Sequence, residues 1–575
     1  MPVSSQSFQS FVHAIEQGRF AGLFKGAVLG VIVLTVGLLY LFVQFARLAT
    51  PAAMEQAAMS RALASGQGFT TPVVRPIDLW QLDRAEKPLP KGDELFPEMF
   101  HPPLTAAFNA LPLLAVKGSW QMSPKDLVYQ GDRAIAFASM LLFIASVVVS
   151  FFVARKLFDT SLAMIACLLI LATDLMWQVS LSGLGHMLVL LLFMLTLWGI
   201  ITAISRQEDA AGGARLGLLD HALIGLGFGL MTLSHYLTCW FFIGYLLFAF
   251  IYFKPRFAPL VSIVTFAITL TPWILHNISA TGLPFGLAIY PISQGILLSS
   301  LSPDFSDLFY GFRIKLRDGV LSQVGDIFLF LGMNLAAGAF FVALMHPFKR
   351  RATALAKWCV LAMWAAATIG MAAYGPVSGA VSNNQLHVIF IPVMTFFGVA
   401  VLTVLWNRLG FQLGIMRVVF VTVMVLLVSL PLLLTLFAGQ KRFVQWPPYI
   451  PPYIAILGEW FEPNEAITSD MPWAVAWYAQ RKSLLLPENP NTFIRISDYD
   501  ILGTPIRGLY LTPITGDQPF LSEIATGRYR AWAGLIQRNL QLTGFPLRAV
   551  LPLPVDGQCI LYADYDRWSN KVTEP

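Results

Sequence analysis

Charge is what this chain has least of. Of its 575 residues only 12% are Asp, Glu, Lys or Arg, about half the roughly 25% with which a soluble domain coats its surface. So little charge cannot solvate a water-soluble fold of this length. Cysteine is scarce too. Cys167, Cys239 and Cys359 lie in apolar segments and only Cys559 in a polar one, so no disulfide framework is expected. No CxxC or Cys/His metal spacing occurs either. The sequence has no Walker-type glycine loop, no HExxH pair and no nucleophile elbow, which leaves ATP-driven transport and hydrolysis by those motifs without support. No repeat of about 20–50 residues and no low-complexity tract is present. The net charge of +6 is spread between apolar blocks rather than gathered in a basic patch, so nucleic acid is not an expected partner.

What is present is apolar. Hydrophobic residues make up 56% of the chain and mean hydropathy is +0.66. They fall in blocks, several of them near the 20 residues that cross a hydrocarbon core about 30 Å thick. Eleven candidate spans result: Ala27–Phe45, Ala134–Val153, Ser161–Leu171, Met187–Ile204, Ala222–Leu233, Tyr236–Phe253, Leu260–Leu275, Ile327–Met345, Trp358–Ala373, Val388–Leu405 and Val418–Phe437. The first is too long for a signal-peptide core and lacks a clean cleavage site, so it reads as a retained span. With the N-terminus in the cytoplasm, the inner loops carry Arg155, Lys156, Arg206, Arg215, Lys254, Arg256, Lys349, Arg350, Arg351, Lys357, Arg408 and Arg417. The short outer loops 173–183, 234–235 and 374–387 contain no Lys or Arg, as the positive-inside rule requires.

Three long polar regions then lie outside the cytoplasm: 46–133, 276–326 and 438–575. The first predicts a short helix over Met54–Ser65 and an interfacial helix over Leu104–Val116. The second predicts another interfacial helix over Asp307–Asp318. In the tail, Glu465–Asp470, Ser483–Leu486, Arg507–Leu511 and Cys559–Ala563 read as strands and Pro472–Gln480 as a helix. The expected architecture is a polytopic α-helical membrane protein, residues 1–437, with a small extracytoplasmic α/β domain, residues 438–575.

Acids at a membrane surface need a reason to be there. Glu55 stands just beyond the first span, with Arg61 a turn and a half further on. By residue type alone it is either a base that takes a proton from an attacking hydroxyl or a solvated residue on an exposed helix. His101 precedes Pro102-Pro103-Leu104, which launches the second helix whether or not the imidazole faces a cavity. His186, His235, His276 and His387 each sit at the outer end of a span, as ligands for a lipid phosphate or as packing residues. Arg313, Lys315 and Arg317 offer a second phosphate site or a surface lipid contact.

The order of these features resembles the C-type membrane glycosyltransferases (GT-C), in particular the protein O-mannosyltransferase and lipid A aminoarabinose transferase group. The first outer loop, AMEQAAMSRALASGQGFTT over 53–71, is similar to the family's acidic helix and Gly-x-Gly-Phe turn, and HPPL at 101–104 to its Lys/His-Pro-Pro-Leu element. Ser182-Gly183-Leu184, the stretch from Pro272-Trp273 to Pro284, and DMPWAVAWYAQRKSLLLP over 470–487 match as well. The resemblance implies sugar transfer from a polyprenyl-phosphate donor to a glycan, lipid or protein acceptor at the outer face of a cell's inner membrane. It implies inversion at the sugar and no certain cofactor beyond that lipid-phosphate substrate, with a divalent metal as an option and no dedicated metal ligands. Glu55 is the implied catalytic base, and Arg61, His101, His186, His276, His387 and Arg313 are the implied substrate contacts. Two positions depart from the pattern: Gly185-His186 where an acid is common, and His276 where an Arg commonly precedes Asn. A transporter or flippase, or a non-catalytic relative, is the alternative.

Overall fold

The computed structural model describes residues 21–48, 50–123, 125, 126, 128–209, 217–292, 298–301, 303, 308–377, 379–409, 414–437, 451–498, 500–512, 514, 515, 518, 519, 524–536, 545–553 and 559–569. The chain is mostly helical. The helices up to residue 437 are α1 (Ala21–Leu39, continued by a π turn over Tyr40–Gln44), α2 (Pro51–Ala64), α3 (Pro76–Arg84), α4 (Pro103–Ala115), α5 (Gln130–Leu157), α6 (Thr160–Ala172), α7 (Asp174–Leu181), α8 (His186–Asp209) and α9 (Leu218–Ser234). They continue with α10 (Cys239–Tyr252), α11 (Ala258–Thr281), α12 (Leu308–Gly325), α13 (Ile327–Phe330), α14 (Leu335–Gly338), α15 (Phe340–Ala343), α16 (Arg351–Ala373), α17 (His387–Arg408) and α18 (Gly414–Phe437). Six of these are long and apolar enough to cross a membrane: α5, α8, α11, α16, α17 and, from Val418, α18. The α6–α7 pair, bent by 61°, is a seventh if counted as one span. The apolar stretches Gly30–Gln44, Leu218–Ser234 and Tyr236–Tyr252 are shorter helices.

Two of the sequence expectations change here. The stretch 173–183, expected as an outer loop, contains the buried helix α7, whose Trp177 stacks on Tyr40 at 5.5 Å. Asp174 at its start accepts hydrogen bonds from Tyr40, Gln178 and Thr435. The expected span Ile327–Met345 is three one-turn helices rather than one continuous helix. Gly332 and Met333 both take left-handed φ values (68° and 53°), which interrupt the helix. Asn334 stabilises the break by accepting from the Ala336 and Ala337 amides and donating to Thr173 and Thr395. Hydropathy reports a residue's solvent and is blind to such backbone interruptions, so both segments read simply as apolar or polar.

The strands are β1 (Thr70–Thr71), β2 (Val73–Val74), β3 (Phe96–Pro97), β4 (Ala466–Ser469), β5 (Lys482–Leu485), β6 (Ile506–Leu511), β7 (Ile514–Thr515), β8 (Gln518–Pro519), β9 (Ala549–Leu553) and β10 (Cys559–Ala563). A six-stranded mixed sheet runs in the order β2-β5-β4-β6-β10-β9. Its parallel part is β2-β5-β4-β6 and its antiparallel part β6-β10-β9. The edge strand β2 comes from the 46–133 segment, about four hundred residues from its partner, with Val73 opposite Ser483 and Val74 opposite Leu484. The tail sheet therefore grips the loop that carries the acidic helix.

A second grip lies at the tail's WAVAWYAQ stretch. Pro472–Ala474 is one helical turn, continued by a π turn over Val475–Ala479. Wide turns of this kind leave backbone carbonyls without helical partners. Arg61 supplies two of them, donating to the carbonyls of Ala476 (2.7 Å) and Trp477 (2.8 Å) while its guanidinium lies over the Trp477 ring at 4.5 Å. Asp132, at the start of α5, accepts from Trp477 Nε1 (2.6 Å) and the Tyr478 hydroxyl (2.8 Å). Arg61→Ala leaves two buried carbonyls unpaired. It is expected to destabilise the protein by about 2–4 kcal/mol, read as a lower thermal midpoint of the purified protein, with a smaller loss for Arg61→Lys.

Candidate active site

Glu55 lies in the second turn of α2. The helix starts where Thr50 accepts the Ala53 amide with Pro51 at the first helical position, a strong start signal. Every residue from Ala53 to Ala62 is buried, so this helix is packed inside the protein rather than solvated. Glu55 itself is 6% exposed. An isolated carboxylate there would be costly, and the fold pairs both of its oxygens. Arg75 Nη2 donates to Oε1 at 2.5 Å and His101 Nε2 donates to Oε2 at 2.6 Å.

Each partner is fixed by its own segment. Arg75 follows β2 directly, so pairing with the tail sheet sets where its side chain begins. It is also the N-cap of α3: its backbone amide donates to Asp78 Oδ2 at 2.8 Å, and Pro76 occupies the first helical position. Its guanidinium lies over Phe100 at 3.9 Å. His101 is held by a tight turn in which Glu98 Oε1 accepts the amides of Phe100 (2.7 Å) and His101 (2.9 Å). Pro102 and Pro103 then fix the exit into α4, which packs against the start of α8. A Cβ on Gly185 would come within 2.3 Å of Thr105 Oγ1, so a glycine allows this contact. The departure from an acid at this place thus has a packing reason on its glycine side.

The electrostatics follow from burial and pairing. Burial pushes the Glu55 carboxyl up, but the Arg75 charge and the His101 hydrogen bond and charge outweigh it and hold the group at about 2. Burial lowers His101; its hydrogen bond to Glu55 and the charges of Glu98 and Glu55 more than reverse this and keep it above the usual histidine range. Asp78 is pushed up to about 7 by burial, against the pull of Arg75, and its Oδ1 is buried without a hydrogen-bond partner. The pairing therefore favours an ionised Glu55 and a charged His101.

Glu55, Arg75 and His101 open into a cavity of about 150 Å³, whose lining also includes Gln56, Phe100, His235, Tyr236, Tyr374, Asn383 and Asn384. The sequence brings Glu55 and His101 to attention, and the fold puts them in contact. The other expected contacts are outside the described lining. Arg61 is six residues beyond Glu55, about 600° of helical rotation, and its guanidinium is committed to the tail carbonyls. His186 donates to the Gln385 carbonyl at 3.1 Å and packs edge-on to His235. His387 accepts from Trp364 Nε1 at 2.9 Å and stacks on Phe330. His276 is exposed and stacks on Trp273 at 4.9 Å. Arg313 is exposed on α12. Among the described residues no group of three or more His, Cys, Asp or Glu is placed to hold a metal ion.

Arg75, Tyr236, Tyr374, Asn383 and Asn384 were missed by sequence reasoning. Arg75 had a local signal, Arg-Pro-Ile-Asp with an acid at the third helical position, but that signal marks a helix start and gives no direction for the guanidinium. Asn383-Asn384 sits in the uncharged stretch between α16 and α17, which carries no motif.

Residues 125–276 match the family described as dolichyl-phosphate-mannose-protein mannosyltransferase. No curated protein sequence matches the chain. Among solved structures the chain is similar to the Archaeoglobus fulgidus oligosaccharyltransferase tethered to an acceptor peptide containing the NVT sequon (14% identity, TM-score 0.55, 96% of this chain and 75% of that one). It is similar to archaeal AglB from Archaeoglobus fulgidus in complex with an inhibitory peptide and a dolichol-phosphate (14%, TM-score 0.54, 96% and 75%). It is also similar to ArnT from Cupriavidus metallidurans bound to undecaprenyl phosphate (12%, TM-score 0.53, 95% and 99%). At these identities the likeness is one of fold.

Proposed function

We propose, from the premise that this chain is a polytopic membrane protein of the GT-C fold, that it transfers a sugar from a polyprenyl-phosphate donor to an acceptor hydroxyl, with inversion. The observation that carries this reading is one cavity holding a buried carboxylate, a guanidinium and an imidazole, formed by α2 and loops at the end of the helical bundle. The acceptor oxygen attacks the anomeric carbon, the bond from that carbon to the phosphate oxygen breaks, Glu55 takes the acceptor proton, and polyprenyl phosphate leaves. A base on one side and cations for the departing phosphate on the other are what this displacement needs.

The resting geometry adds a condition. A carboxylate at about 2 with both oxygens occupied is a weak base. A donor phosphate that draws Arg75 or His101 to itself frees an oxygen of Glu55 and raises its basicity as the substrate arrives. The reading places the cavity outside the cytoplasm, in an inner membrane. It is supported by the cluster of bases at the far ends of the helices, where Arg206 pairs with Asp220, Arg351 with Glu208, and Arg350 donates to the Lys156 carbonyl.

The test is the purified chain in lipid vesicles with a synthetic polyprenyl-phosphate hexose. Sugar appearing on an acceptor, with stoichiometric polyprenyl phosphate, supports the proposal. Movement of the donor across sealed vesicles without sugar transfer would make the chain a transporter, and failure to bind polyprenyl phosphate would make it a non-catalytic relative.

A further inference from the structure

Two unlike sets of residues line the cavity. One carries Glu55, Arg75 and His101. The other is built from the α9–α10 junction and the α16–α17 loop, and its hydrogen-bonding groups are His235, Tyr236, Tyr374, Asn383 and Asn384.

This second set is neutral by construction. His235 Nε2 donates to the Asn383 carbonyl at 2.8 Å, and Nδ1 accepts the Leu237 amide at 3.3 Å. A ring nitrogen that accepts carries no proton, so the imidazole is uncharged. Tyr236 accepts from Trp273 Nε1 and Tyr374 donates to the Ala288 carbonyl, which fixes both phenols. Asn383 donates to Asn384 Oδ1 at 3.3 Å, and Asn383 Oδ1 is buried without a hydrogen-bond partner. A buried acceptor of this kind needs a donor from a ligand or a water.

Charge on a ligand group would find no match there. The one carboxylate in the described lining is Glu55, with both oxygens already engaged. Glu98 is turned to backbone amides and Asp78 to the Arg75 amide. An ammonium held by these neutral groups would therefore be desolvated without a counter-ion of its own, because Glu55 keeps one of Arg75 and His101 even when the phosphate draws the other. A sugar carboxylate held by the neutral set would likewise lack a cation, because Arg75 and His101 are divided between the phosphate and Glu55. Hydroxyls meet neither penalty.

Resting on the glycosyltransferase reading, we propose that the set formed by His235, Tyr236, Tyr374, Asn383 and Asn384 is the sugar subsite, and that it selects an uncharged sugar over an amino sugar or a uronic acid. The Asn383 amide oxygen takes a sugar hydroxyl, and Asn384 stands beside it as the position that sets charge preference.

The test compares four lipids of one chain length bound to the full-length protein in nanodiscs: bare undecaprenyl phosphate and its glucose, glucosamine and glucuronate esters. The glucose ester is expected to bind about tenfold or more tighter than either charged ester. Equal or tighter binding of a charged ester overturns the subsite assignment and leaves the glycosyltransferase reading intact. Asn384→Asp is expected to shift the glucosamine-to-glucose affinity ratio about tenfold towards glucosamine, and an unchanged ratio overturns the role of this loop. If none of the four lipids binds, including the bare phosphate, the parent reading fails and this inference fails with it.

Discussion

Replacing Glu55 with Gln is expected to lower sugar transfer by about 10²–10⁴-fold, the usual contribution of a positioned general base, while the protein still folds and reaches the membrane. Gln matches Glu in size and keeps an oxygen for Arg75, so α2 and the two loops around it retain their packing. On the proposed mechanism the change removes the group that receives the acceptor proton and leaves Arg75 for the phosphate. Turnover should therefore fall far more than donor affinity. Glu55→Asp tests position separately. It withdraws the carboxylate by one methylene, more than 1 Å, and a misplacement of that size is expected to cost about 10²-fold. Transfer by Glu55→Gln at the wild-type rate would remove Glu55 as the base.

Arg75→Gln is expected to reduce transfer by about 10²–10³-fold, and it differs from the Glu55 variant in three readouts. Donor affinity should fall together with turnover, because Arg75 is assigned to the phosphate as well as to the carboxylate. The acid limb of the pH–rate profile should move to higher pH, because Arg75 is the largest single influence that lowers Glu55. Stability should change with pH in a defined direction. The folded-state value of Glu55 is depressed to about 2, below the ordinary glutamate value near 4.3. Stability from this pairing is therefore present above about pH 4.3 and lost as the pH falls through about 2. The difference in stability between wild type and Arg75→Gln should be largest near neutrality and close as the solution is acidified. His101 has the opposite sign. Its value is raised, so its contribution is complete below the ordinary histidine value near 6.5 and disappears as the pH rises through the elevated one. An alkaline limb of transfer that vanishes in His101→Gln would identify it.

How much of this site was legible depended on the range of the signal. Glu55 and His101 could be picked out because each stands beside a local marker, the end of the first apolar block and the double proline. Their contact could not, since 46 residues, with α3 and three short strands among them, separate the two. Closeness to Glu55 in sequence points Arg61 towards the donor. Helical rotation and the open carbonyls of the tail's π turn take its guanidinium elsewhere. His186 and His387 share the cavity's level along the bundle, which in sequence makes them look like cavity groups. Each is instead held by a backbone carbonyl or an indole on a neighbouring segment, and the lateral position of a side chain within a bundle is not encoded by depth.

The sequence by itself determined that the chain belongs in a membrane, roughly where its apolar helices run, and that basic residues gather in one set of loops. These properties are sums over consecutive residues, since hydropathy and helix length are set within a window of about twenty positions. The tertiary structure alone decided which polar groups share the cavity. Arg75 reaches Glu55 because β2 pairs with a strand about four hundred residues away, and Asn383-Asn384 faces them because α16 and α17 bring that loop to the same end of the bundle. Loop segments carry no periodicity, and an ion pair between two of them exists only once distant backbone hydrogen bonds have fixed where each begins.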